Sequence, residues 1–113
     1  MKKVEAYIKA HRLDAVIGKL HEIDGLTGVS SHGIEGFGRG WGTKETGHIT
    51  DSTDHWIPHV KLEIVCLDEV APEVVGAIVE GAHTGLRGDG KIYVSPVEDA
   101  IRISTGERGK PAC

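Results

Sequence analysis

Three short segments of this sequence combine glycine, cationic and hydroxyl residues in a way that suits phosphate binding. Residues 36–40 read Gly-Phe-Gly-Arg-Gly, and residues 84–91 read Thr-Gly-Leu-Arg-Gly-Asp-Gly-Lys. Glycine lets backbone N–H groups approach an anion closely, and Arg or Lys adds charge-assisted donors. In the third segment Arg102 and Ser104 stand two residues apart and would share one face of a strand. We predict phosphate contacts in all three, although a hinge, a hairpin turn and a solvated strand face are the structural alternatives.

A second group of chemically competent residues lies between the first two segments. Imidazoles and carboxylates are ligands for Zn²⁺, Cu²⁺ or Ni²⁺. His55 and His59 are four residues apart, so their side chains would converge on one side of a helix. A polar loop with solvated histidines is the alternative. Trp41 and Trp56 lie in the same stretch and would bind a target protein, since exposed tryptophan is a typical interface hot spot, or would pack on the protein's own surface. The candidate metal ligands are His48, His55 and His59, with Asp51, Asp54 and His32 nearby.

Hydrophobic periodicity predicts the elements that position these residues. Val4, Ala6 and Ile8 alternate with polar residues, which predicts a strand, and helical spacing follows from Leu13. The predicted order is a strand at 3–9, a helix from 13 to a Gly25 cap, a strand at 27–36, a long loop at 36–58, a strand at 58–67, a helix capped by Asp68 and ending at 84–85, and extended segments at 92–97 and 101–103.

This order predicts an α+β fold of the ferredoxin-like βαββαβ type, with two helices on one face of an antiparallel sheet. The opposite face would carry Tyr7, Val65 and residues of the second strand, and a chain of 113 residues cannot cover it alone. Burial of this face against symmetry mates is the expected solution, so we predict an oligomer.

Composition excludes several classes of protein. The length fits one domain, and no apolar run approaches the roughly 20 residues of a membrane-spanning helix. A formal net charge of -4 argues against a nucleic-acid binder. The first residues lack a secretory pattern and two cysteines cannot build a disulfide framework, so we expect a cytoplasmic protein with Cys66 buried and Cys113 a tail thiol.

The same segments resemble the PII, or nitrogen regulatory protein P-II, family over nearly the whole chain. The resemblance rests on residues 4–6, Lys9, residues 13–14, 27–28 and 36–39, Pro58 with residues 60–65, 84–85 with 88–92, and 101–107, in the same order and at nearly constant spacing. It implies a homotrimer that holds ATP or ADP between subunits and contacts target proteins through a T-loop, here residues 38–58. One domain would span 1–113, with a second phosphate loop at 84–91 and a C-terminal strand and tail at 101–113.

The resemblance also implies a role for individual residues. Gly28, Val29 and Ser30 would face the adenine, and Val65 would line the same pocket. Arg102 would reach in from the neighbouring subunit, near Ser104. The phosphates would be held by Gly36, Phe37, Gly38, Arg39, Gly88, Asp89, Gly90 and Lys91.

Three departures from the family pattern modify this expectation. Members that sense 2-oxoglutarate have Gln and Lys where this chain has Gly40 and His59, so we do not expect standard 2-oxoglutarate sensing. Ser104 replaces a second Arg, which would let ADP or AMP compete with ATP. The loop has no Tyr, so uridylylation on tyrosine is excluded.

Three hypotheses follow from these residues. The first is a nucleotide-dependent regulator of a transporter or metabolic enzyme, and the second is a metal-ion sensor or carrier that uses the loop histidines. The third, a slow ATPase, is the weakest, because neither glycine segment completes the P-loop pattern G-x-x-x-x-G-K-[ST] and no nucleophile is paired with a base. We expect a regulator rather than an enzyme.

Overall fold

The computed structural model describes residues 1–36 and 57–113. Its regular elements are β1 (Lys2–Lys9), α1 (Leu13–Leu20), β2 (Ser30–Gly36), β3 (Ile57–Cys66), α2 (Ala71–Ala82) and β4 (Lys91–Pro96), with 3₁₀ turns at Ala10–Arg12 and Lys110–Ala112. The four strands form one antiparallel sheet in the order β2-β3-β1-β4. The predicted ferredoxin-like α+β architecture is confirmed.

The core lies between one face of this sheet and the two helices. Side chains alternate across a strand, so β1 buries every second residue from Val4 to Ile8, and β3 does the same from Val60 to Cys66. The helices cover these side chains with Val16 and Leu20 of α1 and with Ala71, Val74, Ile78 and Ala82 of α2. The same alternation turns the polar residues of both strands to the opposite face, which no element within the described ranges covers.

A glycine allows the two helices to approach closely. An added Cβ on Gly81 of α2 would lie 2.9 Å from the Cα atom of Val16 in α1. At the same point the Nε atom of Arg12 donates a hydrogen bond of 2.9 Å to the carbonyl oxygen of Gly81. The helices therefore meet backbone to backbone at Gly81, which fixes the last turn of α2 against α1.

Three sequence predictions about where elements begin or end need correction. Helix α1 ends at Leu20 rather than near Gly25, because N–H groups at Glu22 and Ile23 bond three residues back and tighten the chain into a turn. Strand β2 starts at Ser30 rather than at residue 27. Residues 57 and 58, assigned to the long loop, belong to β3.

Asp68 does not cap helix α2, whose cap residue is Val70 without a side-chain hydrogen bond. The Asp68 carboxylate instead pairs with the amino group of Met1 at 2.9 Å. This hydrogen bond opposes the desolvation of the carboxyl group and lowers the pKa of Asp68. The aspartate therefore ties the start of β1 to the connection after β3.

The extended strand predicted at 101–103 is also wrong. The N–H groups of Thr105 and Gly106 both donate to the carbonyl of Arg102, which closes a tight turn with Gly106 at a φ of 74°. Only an isolated bridge between Ile101 and Arg108 remains of the expected strand. Among the helices of the described ranges, none has the length and hydropathy needed to cross a membrane.

Candidate functional site

Strand pairing brings two of the predicted phosphate segments to one end of the sheet. Gly36 ends β2 opposite Ile57, and Lys91 begins β4 opposite Tyr7 near the end of β1. Lys9, the last residue of β1, lies opposite His59. We call this end, where Gly36 and the loop of residues 84–90 lie, the loop end of the sheet.

The loop of residues 84–90 depends on glycine for its shape. Gly85, Gly88 and Gly90 have φ values of 80°, 82° and 103°, which side-chain-bearing residues rarely adopt. At Gly90 a Cβ atom would also overlap the carbonyl oxygen of Tyr7 and lie 2.8 Å from its carbonyl carbon. Only glycine at position 90 therefore lets the loop lie against β1.

The carboxylate of Asp89 organises the loop from inside. Its Oδ2 atom accepts hydrogen bonds from the N–H groups of Thr84 at 2.9 Å and Gly85 at 3.1 Å. Its Oδ1 atom accepts from the hydroxyl of Thr84 and pairs with Nζ of Lys9 at 3.1 Å. Partial burial would raise the pKa of Asp89, but the donors from Thr84, Lys9 and Gly85 outweigh burial and hold that pKa far below its ordinary range.

His59 supports the same loop from β3. Its side chain is buried, at 2% exposure, and its Nε2 atom lies 3.4 Å from the carbonyl oxygen of Gly88. It therefore lies in strand β3, under the loop of residues 84–90. Arg87 and Lys91 are exposed, and neither forms an ion pair with another residue in the ranges 1–36 and 57–113.

A second group of predicted residues meets at the other end of the sheet. Gly28, Ser30 and Val65 line one cleft of about 430 Å³. Its opposite wall is formed by Val97, Asp99, Ala100, Ile101, Ala112 and Cys113. This end is fixed where the N–H of Val97 donates to the carbonyl of Met1 and where Lys2 pairs with both Cys66 and Pro96. We call the cleft at this end of the sheet the base cleft.

The remaining predicted residues separate into four cases. Val29 lines a different cavity of about 300 Å³ beside α1, with Ile17 and Leu20. Arg102 lies beyond the base cleft, and its Nη2 atom donates 2.9 Å to the carbonyl of Pro111. Ser104 is exposed in the turn that follows. Phe37, Gly38, Arg39, His48 and His55, with Trp41 and Trp56, lie outside the described residues.

The uncovered face of the sheet carries a network of charged and aromatic side chains. Glu5 lies directly opposite Glu63, a repulsive pairing, but Lys3 and Lys61 bridge the two carboxylates at 2.8 to 3.9 Å. The hydrogen bond from Lys3 also lowers the pKa of Glu5. Tyr7 packs edge-on against Tyr93, with ring centroids 6.0 Å apart. The two lysines and two glutamates of this network therefore balance one another within one chain.

Sequence reasoning missed two residues that shape the site. Lys9 was used only as one residue of the family resemblance, with no role in the site, and Thr84 was only one residue of a glycine-rich segment. Lys9 is the last residue of a strand with alternating apolar residues, and Thr84 stands five residues before Asp89. Neither pattern shows that these three side chains meet. For the metal hypothesis, no three His, Cys, Asp or Glu side chains in the described part of the chain are grouped to hold an ion.

Comparison with known proteins places this arrangement in a family. The family model for nitrogen regulatory protein P-II matches residues 1–107. Nitrogen regulatory protein P-II of Azospirillum brasilense is 44% identical over 112 residues, and that of Rhodospirillum rubrum is 46% identical over 112 residues, with 99% of each chain covered in both cases. The crystal structure of Arabidopsis thaliana PII bound to citrate superposes with a TM-score of 0.78 at 39% identity, covering 98% of this chain and 90% of that one. The chain belongs to the nitrogen regulatory protein P-II family.

Proposed function

We propose that this protein is a PII-type regulator which binds an adenine nucleotide, ATP or ADP and also AMP, between the subunits of a homotrimer. Nucleotide binding changes the affinity of residues 38–58, the T-loop, for a partner protein such as a transporter or a metabolic enzyme. The protein regulates and does not catalyse. Family membership supports the regulatory role.

The observation that carries this proposal is the separation of the predicted site into two halves. Glycine N–H groups and Lys91 lie at the loop end, whereas Gly28, Ser30 and Val65 lie in the base cleft beside the segment that carries Arg102. His59 and Val65 are six positions apart on β3, about 20 Å at 3.3 Å per residue. Two copies of the chain could bring the loop end of one subunit against the base cleft of the next.

The chemistry of each half suits a different part of a nucleotide. The loop end carries two exposed cations, Arg87 and Lys91, that have no ion-pair partner in the described ranges, beside a glycine-rich backbone, which favours a di- or triphosphate. The base cleft is formed by glycine, aliphatic and hydroxyl groups with the carboxylates of Glu63 and Asp99, which favours a neutral base with amino donors. The uncovered face of the sheet, whose four central charges are paired with one another, supplies a surface for assembly.

Calorimetric titration of the purified protein with ATP, ADP, AMP and 2-oxoglutarate tests the proposal, with light scattering to measure the mass in solution. We expect a trimer, binding of at least one adenine nucleotide and no heat from 2-oxoglutarate alone. Lys91→Ala should weaken nucleotide binding about tenfold or more with the trimer intact, because it removes a charge-assisted contact. Lys19→Ala, on the surface of α1, is the matched control. A monomer, or a protein that gives no nucleotide heat, would refute the proposal.

A further inference from the structure

We infer that Lys9, Thr84 and Asp89 form a latch that positions the loop of residues 84–90 and neutralises the negative charge inside it. These three residues then act on the phosphate half of the site without touching the ligand. The inference rests on the proposed function and changes the role of Asp89, which the sequence places among the residues that hold phosphate.

The carboxylate of Asp89 has no capacity left for a ligand or a metal ion. A carboxylate offers about four acceptor positions. Four donors within the chain already use them: the N–H groups of Thr84 and Gly85, the hydroxyl of Thr84 and the ammonium group of Lys9. His83 adds a further contact, with Nδ1 at 3.6 Å from Oδ2. Asp89 therefore shapes the loop from within.

Lys9 connects the loop to β1, a central strand of the sheet. Its Nζ atom lies 3.1 Å from both Oδ1 of Asp89 and the hydroxyl of Thr84, and its side chain is 17% exposed. Because β1 pairs with strands on both sides, this contact fixes the loop relative to the centre of the sheet. It also offsets an anion that stands between Gly88 and Gly90, where an uncompensated charge would repel phosphate.

The hydroxyl of Thr84 joins the parts of the latch. It donates to Asp89 and accepts from Lys9 and from the N–H of Leu86 at 3.1 Å. Valine has the same shape but none of these contacts, whereas serine retains the oxygen atom. The substitution of threonine by either residue therefore separates packing from hydrogen bonding.

Titration with ADP of four variants tests the latch: Thr84→Val, Thr84→Ser, Lys9→Met and the double variant Lys9→Met/Asp89→Asn. We expect about tenfold weaker binding for Thr84→Val and for Lys9→Met, and a change within about twofold for Thr84→Ser. The double variant should bind more tightly than Lys9→Met, because it no longer carries an unbalanced carboxylate. A role limited to hydrogen bonding would not produce that rescue, because Asp89→Asn also removes an acceptor oxygen from the loop. Lys19→Met is the matched control for removal of a lysine.

Amide hydrogen exchange of residues 85–90 without nucleotide gives an independent measurement. Exchange should be faster in Thr84→Val than in Thr84→Ser, while β1 exchanges as in the wild type. Wild-type ADP affinity in Thr84→Val and Lys9→Met would overturn the latch if Lys91→Ala still weakens binding, and so would a double variant no better than Lys9→Met. If the wild type binds no nucleotide, the proposed function fails, and unchanged exchange in Thr84→Val then overturns the latch separately.

Discussion

Replacement of glycine by alanine at two positions of α2 should change stability in opposite directions. Gly76 is exposed, and a Cβ atom there meets nothing within 4 Å. Gly81 lies against α1, where the new Cβ would approach Cα, Cγ2 and the backbone nitrogen of Val16 at 2.9, 3.0 and 3.1 Å. The chemical change and the helix are the same, so the difference between the variants measures the close approach of the helices.

The magnitude follows from two opposing terms. Alanine favours a helix interior over glycine by about 1 kcal/mol at either position. At Gly81 the methyl group meets backbone atoms that cannot rotate away, so overpacking there should cost about 2 to 3 kcal/mol, the upper part of the usual range. We expect Gly76→Ala to raise the free energy of unfolding by about 0.5 to 1 kcal/mol, and Gly81→Ala to lower it by about 1 to 2 kcal/mol.

Thermal and denaturant unfolding, at one protomer concentration because assembly shifts apparent stability, would measure this difference. A gap of about 2.5 kcal/mol corresponds to about 10 °C between the two melting temperatures in a domain of this size. Equal stabilisation by both substitutions would refute the reasoning, since it would mean that α1 moves aside without cost. Gly18→Ala in α1, also in open space, should follow Gly76→Ala.

Three further predictions concern the loop and the cysteines. Gly90→Ala should destabilise the protein by about 3 kcal/mol or more in the same assay, and Gly106→Ala, with positive φ but open space, by only about 1 kcal/mol. The hydrogen bonds of Asp89 lower its pKa despite burial. The stability advantage of the wild type over Asp89→Asn should therefore be full at pH 7 and should shrink as the pH falls below about 4. An advantage that does not depend on pH would contradict this prediction. Burial raises the pKa of Cys66, so iodoacetamide should alkylate Cys113 first in the native protein, as peptide mass spectrometry would show.

The fold was predictable because its information is local and periodic. Alternation from Val4 to Ile8 and from Val60 to Cys66 defines which side of the sheet is buried, and the helical spacing from Leu13 defines what covers it. Element ends were less predictable, because competing local contacts decide them. Asp68 has the residue type of a helix cap, but the amino group of Met1, distant in sequence, takes its carboxylate.

The candidate site was predictable in its residue types and less so in its grouping. Gly28, Ser30 and Val65 line one cleft, whereas Val29, placed in the same pocket by the prediction, lines another cavity beside α1. Asp89 shows the limit most clearly. A carboxylate beside glycines looks the same in sequence whether it faces a ligand or faces inward, and only its four donors decide the question.

The internal pairings determine which charges remain available at the loop end. Lys9 and Asp89 cancel each other, and the imidazole of His59 is engaged beneath the Gly88 carbonyl. The exposed cations Arg87 and Lys91 are then the charges available to an anion among the described loop residues, on a loop shaped by glycines with positive φ. Two cations on a glycine loop favour a ligand with several negative charges close together over a single carboxylate. The charges that remain exposed on the loop therefore support the proposed phosphate ligand.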